Sequence, residues 1–319
     1  MTIFNFSKAG ASIVLAGCLA AAAGPATSQQ TTLPDKPREI VLRQVAPDLY
    51  FLFDYASSNA SFLVTDEGVL VVDTRQHVRD GEDLLARIRA VTDKPVKWVV
   101  NTHFHADHYL GNPALKAAGA TIVAHRDTAA LMEKMHKKEL SRRGKFFASR
   151  GYDPKDVRLV MPDVTFDQSM TIRLGGREIQ LLYLGAGQNP GDAFVVFPHA
   201  RTVHTPGAFA RRSWANTVFT PSVEEWIGVL RKVGAMEVDT ILPGHGDVAN
   251  REDLQEFERF LAGQYAAVKA AAEKGMTAEE TVKALPFEQY KDWRNYARRA
   301  HSIRSLHELI TTGKAAYFK

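Results

Sequence analysis

Residues 101–112 read NTHFHADHYLGN, and four side chains of ligand type, His103, His105, Asp107 and His108, fall within six positions. The whole chain of 319 residues has 11 histidines. The cluster closes the apolar segment VKWVVNTH (96–103), which reads as a β-strand. Alternate residues of a strand point to the same side, so His103 and His105 face one way at its end, with Asp107 and His108 in the following loop. A fold that carries this segment must bring a strand end to an edge where several imidazoles and a carboxylate converge. Without a thiolate nearby, imidazole nitrogen and carboxylate oxygen are the donors zinc takes.

The rest of the pattern fixes the layers. REIVLRQVAPDLYFLFDY and ASFLVTDEGVLVVDT read as strands with turns between them, GEDLLARIRAVTD (81–93) as a helix, and TIVAH as a strand. NPALKAAG and DTAALMEKMHKKEL read as helices, the second opening on an Asp cap. MTIRLGG, REIQLLYLG and DAFVVFPHARTVHT form a second strand group. SVEEWIGVLRKVGA (222–235) is an amphipathic helix with a Ser cap, and VDTILPGHGDV is a strand entering a loop that carries His245. Residues 251–274 and 277–313 read as helices. Two strand groups, each interspersed with helices, suit two sheets packed face to face with helices outside.

HFHADH matches the His-x-His-x-Asp-His signature of the metallo-β-lactamase superfamily, and the chain resembles that family over residues 40–250 through an ordered series of motifs. VVDT, ending in Asp73, resembles the first motif, a strand-end aspartate that supports the metal loop. LGAGQNPGD (184–192), TVHTPGAF (202–209) and LPGHGD (242–247) resemble the third, fourth and fifth. The resemblance implies an α+β four-layer αββα sandwich with its site at one edge. It implies a first metal site on His103, His105 and the third-motif residue, and a second on Asp107, His108 and His245. Two motifs depart from the pattern. Gln188 stands where the third motif carries His, and Pro206, Gly207 and Ala208 stand where the fourth carries Asp or Cys. The neutral amide of Gln188 is a weak zinc ligand. One tightly held zinc ion on Asp107, His108 and His245 is therefore expected, with a weaker first site. His204 either compensates for the absent fourth ligand or is a core histidine. His125 reads as structural, and His77, His136, His199, His301 and His307 as surface or helix residues.

The activity this implies is hydrolysis of a strained or activated acyl bond: β-lactam, lactone or thioester. Zinc lowers the pKa of its water toward ~7, and Asp107 orients that water and relays its proton. Arg211 and Arg212 follow the fourth motif, where β-lactamases of the family place a basic residue. They read either as a carboxylate anchor or as a solvated pair. Trp214 beside them lines the pocket or packs. Two other classes stay open: a metal-binding, catalytically weak paralogue that binds a ligand or partner, motivated by Gln188 and the missing fourth ligand, and a nonhaem iron enzyme.

Charge adds little. A net charge of +4, without a basic stripe interleaved with aromatics, gives no nucleic-acid signal. The basic run KMHKKELSRRGKFFASR (134–150) reads as a solvated helix face and loop, or as a rim attracting anionic substrate or lipid headgroups. At the N-terminus, one Lys precedes a short apolar stretch and then LAGC (15–18), which resembles a bacterial lipobox ending in Cys18, the single cysteine. An ordinary cleaved signal peptide is the competing reading, and both export the protein, to the periplasm or to a lipid anchor on the outer membrane. No stretch is long enough to span a bilayer, so membrane contact is expected only through that anchor. The expected organisation is 1–35 signal and tether, 36–250 metallo-β-lactamase domain, and 251–319 a helical extension packed on it. The expected partner is a small-molecule substrate.

Overall fold

The computed structural model describes residues 40–318. Cys18, the lipobox and the tether lie outside the described residues.

The first sheet has seven strands paired in sequence order: β1 (Ile40–Ala46), β2 (Leu49–Asp54), β3 (Ala60–Thr65), β4 (Gly68–Val72), β5 (Val96–Asn101), β6 (Thr121–His125) and β7 (Val164–Phe166). β1 to β4 form an antiparallel meander, and β4 to β7 run parallel. Parallel neighbours need crossovers, which here are helical. α1 (Val78–Val91) joins β4 to β5, α2 (Ala106–Tyr109) and α3 (Asn112–Ala117) join β5 to β6, and α4 (Arg126–Arg142) and α5 (Gly144–Arg150) join β6 to β7. The second sheet holds β8 (Ser169–Leu174), β9 (Arg177–Tyr183), β10 (Ala193–Phe197), β11 (Thr202–Ala210) and β12 (Thr240–His245) in the order β12-β11-β10-β9-β8. Its one parallel pair, β11 with β12, is connected through α6 (Val223–Gly234). α7 (Arg251–Glu273), α8 (Ala278–Ala284) and α9 (Arg299–Thr312) follow.

Side-chain alternation explains the layering. Leu70 and Val72 of β4 face inward with Phe51, Phe53, Leu181 and Val195, forming the core between the sheets. Val69 and Val71 face outward onto Leu84 and Ile88 of α1. A strand buried on both faces reads as a continuous apolar run, as GVLVV does. On the outer face of the second sheet, Phe194 and Val203 share a core with Trp226 of α6, Phe257 and Phe260 of α7, and Ile303 and Leu306 of α9. The protein is an αββα sandwich.

Three local expectations are corrected. DAFVVFPHARTVHT is not one strand: the chain reverses through a short turn at Pro198–Ala200, with Arg201 at φ +45°, so β10 and β11 pair antiparallel. Residues 277–313 are not one helix, since Phe287 and Asn295 take positive φ and residues 285–298 form turns between α8 and α9. Asp107 and His108 lie on the helical turn α2, not in an open loop.

Candidate metal centre

The site begins at Asp73, the residue after β4, buried at φ +60°, a region aspartate tolerates better than most residues. Its Oδ1 accepts the Thr102 N–H at 2.8 Å, and its Oδ2 accepts the Thr102 hydroxyl at 2.8 Å and His108 Nδ1–H at 2.6 Å. Burial pushes the Asp73 carboxyl up from its usual range, and the neighbouring histidines and Thr102 donors oppose that. Three donors on two oxygens suit the ionised form.

These bonds decide which histidine nitrogens carry protons. The Thr102 hydroxyl gives its hydrogen to Asp73, so it can only accept from His103 Nδ1, 2.9 Å away. His103 Nε2 is therefore a lone pair. His108 Nδ1 donates to Asp73, so its Nε2 is one too. His245 Nδ1 faces the Ser57 carbonyl at 3.2 Å, which only accepts, and this leaves His245 Nε2 unprotonated. His108 Nε2 and His245 Nε2 stand 3.2 Å apart, and Asp107 Oδ2 lies 3.3 Å from His245 Nε2 and 3.9 Å from His108 Nε2. Three lone-pair donors converge with no hydrogen to share. With His245 neutral, this N/N/O set is one a divalent transition metal takes. Asp73, His103 and His108 also cluster, but the hydrogen bonds already occupying Asp73 make it the support rather than a ligand.

His103 Nε2 faces His105 Nδ1 at 3.1 Å, and His105 Nε2 is buried without a partner. The Gln188 amide nitrogen donates to the Asn216 carbonyl at 3.3 Å, and its oxygen accepts only a long bond from Asn189 Nδ2 at 3.5 Å. That oxygen shares one space with His103: a Cβ added to Gly207 would lie 2.3 Å from Gln188 Oε1 and 3.4 Å from His103 Nε2. Gly207 sits where β11 bulges between Thr205 and Ala210, so the fourth motif contributes room instead of a ligand. Asp192, buried and lifted by that burial to about 7, accepts the Asn189 backbone and side-chain N–H groups and holds the Gln188 loop.

The metal loop is tied from below. Asn101 and Asn112 exchange amide hydrogen bonds at 3.0 and 2.8 Å, and Thr74 N–H donates to the His108 carbonyl at 2.9 Å. The N–H of Ala106 donates to Glu139 Oε2 at 3.0 Å. Glu139, buried in α4, accepts the Tyr317 hydroxyl at 2.6 Å on its other oxygen, and Lys138 Nζ holds the Tyr317 carbonyl at 2.6 Å. Burial pushes His103 and His105 well below the usual imidazole range, with charge repulsion among the rings adding to it, and brings His108 to about 3. Burial alone would raise the Asp107 carboxyl, but the Arg143 guanidinium on its Oδ1, then His108 and His245, hold it well below normal.

A cavity of about 320 Å³ opens over this cluster, reached by His105, Asp107, Gln188 and His245. Arg142 and Arg143 line one side and Arg294 and Arg298 are also part of its wall; Asp107 is the one acidic lining residue. Arg211 and Arg212 do not line it. Arg211 is bound by Asp253 at 3.0 Å and the Val248 carbonyl at 3.1 Å, and Arg212 is exposed at φ +45°, its carbonyl accepting the Arg294 N–H. Trp214 both lines the cavity and packs on Phe260. His204 belongs to neither ligand group; its Nδ1 lies 2.8 Å from Ser61 Oγ within the core. His125 caps α4, and His77 is buried, capping α1 and stacked on Tyr152, rather than on the surface. Reading from sequence missed Arg294 and Arg298, whereas the rim reading of the basic run took in Arg142 and Arg143, which line the cavity. Arg143 lay inside the basic run, whose Lys134, Lys137 and Lys145 are exposed as expected.

The pattern that defines the metallo-beta-lactamase superfamily matches residues 54–245, and the chain belongs to that superfamily. It is 24% identical over 284 residues to a linear primary-alkylsulfatase of Pseudomonas sp. (strain ATCC 19151), covering 76% of this chain and 53% of that protein. It is 26% identical over 210 residues to the metallo-beta-lactamase type 2 of Bacillus cereus, covering 63% of this chain and 72% of that one. The 2,4-dinitroanisole O-demethylase subunit alpha of Nocardioides sp. (strain JS1661) is 25% identical over 222 residues, 64% of this chain and 58% of that one. A solved metallo-beta-lactamase from Pontibacter korlensis shares the fold, with a TM-score of 0.56 at 20% identity over 70% of this chain and 99% of that chain. The chain thus spans about half the length of the alkylsulfatase.

Proposed function

We propose that this chain is an exported, zinc-dependent hydrolase that cleaves a strained or activated acyl bond, with β-lactams, lactones and thioesters as the substrate class. The observation that carries the reading is the convergence of His108 Nε2, His245 Nε2 and Asp107 Oδ2 as unprotonated donors at the floor of a cavity. A zinc ion bound there supplies Lewis acidity and a water whose pKa falls toward ~7. The protein does the rest. Asp73 fixes the His103 and His108 tautomers. Asp107 keeps Oδ1 on Arg143 and turns Oδ2 inward, where it would help hold the metal, orient the attacking water and relay its proton. Arg143 also places positive charge where the carbonyl oxygen becomes an oxyanion. The relatives support hydrolysis in general terms, since their names cover a sulfatase and β-lactamases. Export rests on the apolar leader and LAGC.

Gln188 in place of a third-motif histidine favours the competing reading, a metal-binding protein with weak catalysis. Metal content measured beside hydrolysis of a β-lactam, lactone and thioester panel separates the two. The hydrolase reading expects turnover of at least one class that falls together with metal occupancy in His245→Ala. Fully metal-loaded protein that turns over none of the panel refutes it.

A further inference from the structure

The four cavity arginines are not equivalent. Arg142 is paired with Glu139, and Arg143 with Asp107. Arg294 and Arg298 have no carboxylate partner among the described residues. Arg294 is half-buried, donates to the Tyr55 carbonyl at 2.6 Å and lies 4.7 Å over the Tyr55 ring. Asp54, the acidic group acting on it, is already bound to Arg75. Arg298 is exposed on the same wall, and its charge opposes that of Arg294. Two like charges at one cavity, neither with a bound carboxylate, are unfavourable unless an anion neutralises them.

The platform that carries them is rigid. Arg294 N–H donates to the Arg212 carbonyl at 2.9 Å, and the Trp214 N–H donates to the Arg294 carbonyl at 2.8 Å. Asn295, at φ +61°, donates from its side chain to Ser213 Oγ at 3.1 Å. Residues 294–298 are thereby stitched to the segment leaving β11, and they lie outside the superfamily match at 54–245. The remaining wall includes the apolar faces of Trp214 and Phe219.

We infer that Arg294 and Arg298 form an oxyanion-binding subsite, so that the molecule this cavity accepts carries a carboxylate or sulfonate-type group on an apolar body. Guanidinium groups recognise such oxyanions by paired N–H donors, and a half-buried position strengthens the contact over one in open water. The inference deepens the hydrolase reading by naming a substrate feature, and binding tests it independently of turnover.

The probes are 3-phenylpropionate, 3-phenylpropane-1-sulfonate and the neutral 3-phenylpropanamide, titrated calorimetrically into zinc-loaded protein. The sulfonate is included because it coordinates zinc poorly, which separates guanidinium binding from direct metal binding. Both anions are expected to bind about tenfold or more tighter than the amide, the range of a charge-assisted bond. Arg298→Ala, an exposed position that leaves the fold intact, should remove most of that preference, Arg298→Lys should restore part of it, and added salt should weaken it. Arg294→Met should act in the same direction. Equal affinity for anion and amide, or a preference unchanged in Arg298→Ala, overturns the subsite. Protein that binds the anions as expected but hydrolyses no lactam, lactone or thioester overturns the hydrolase reading and leaves the subsite standing.

Discussion

Asp73→Asn exchanges one oxygen for an NH₂ group and keeps the shape of the side chain and its tolerance of φ +60°. With the amide oxygen retained on the Thr102 N–H, the NH₂ group replaces Oδ2 and points hydrogens at Thr102 Oγ1 and His108 Nδ1, both now donors to that oxygen. Each must become an acceptor. His108 then carries its proton on Nε2, and the Thr102 hydroxyl turns onto His103 Nδ1, which moves the His103 proton to Nε2. One atom thus removes two lone pairs that face the metal cavity. The opposite amide orientation sets nitrogen against the Thr102 N–H, a buried mismatch costing about 1–3 kcal/mol. Loss of a ligand-supporting carboxylate typically weakens metal affinity 10–100-fold, or about 1.4–2.7 kcal/mol. His108 is the one ligand of the tight site that is reset, while His103 belongs to the weaker site, so the tight ion is expected to lose about 10–100-fold in affinity. The assay is calorimetric zinc titration of metal-free parent and Asp73→Asn proteins, with a thermal melt of each to establish folding. A folded Asp73→Asn protein that binds zinc as tightly as the parent would refute the tautomer argument.

Metal-free protein should lose stability as pH falls below about 6.5, because buried His103, His105, His108 and His204 stay neutral while the unfolded chain takes up protons. Each ring contributes at most ~1.4 kcal/mol per pH unit; Asp192, raised to about 7, acts oppositely, its contribution being lost as pH rises, and offsets one of the four. Urea unfolding at about pH 7.5 and about pH 5.5 measures the difference, and equal stabilities would contradict the neutral-histidine reading. Gln188→His should raise zinc stoichiometry from one tight ion toward two; two equally tight sites in the parent would show that the amide oxygen binds better than its neutrality allows. If LAGC is processed as a lipobox, Cys18→Ala abolishes lipid labelling, whereas an intact mass showing cleavage beyond residue 24 without added lipid removes the anchor.

Much of the site was legible because its ligands are local or strongly marked. His103, His105, Asp107 and His108 share one strand end and one turn, and His245 is the last residue of the apolar strand β12. The arginines were not legible for a geometric reason. Arg294 and Arg298 reach the cavity only because the chain breaks at 285–298, where positive φ at Phe287 and Asn295 replaces the expected helix. Arg142 and Arg143 sit in a basic run whose Lys134, Lys137 and Lys145 are exposed, and composition alone cannot say which charges of such a run turn inward. Arg211 had the expected sequence position, but Asp253 of α7 takes its guanidinium. The four layers followed from apolar runs long enough to be buried on both faces.

The Tyr317 contact has a consequence for the order in which the protein acquires its working form. All the metal-facing side chains lie between residues 103 and 245, so a ribosome has delivered every one of them before it reaches Tyr317. The Ala106 N–H at the head of the metal loop depends on Glu139, and Glu139, paired with Arg142 on its own helix, gains the Tyr317 hydroxyl only with residue 317. Until then the chain holds a complete set of ligands on a loop that lacks this one brace. That contact waits until the chain beyond α9 has been made, so a turn at residues 316–318 braces a loop more than 200 residues upstream of it.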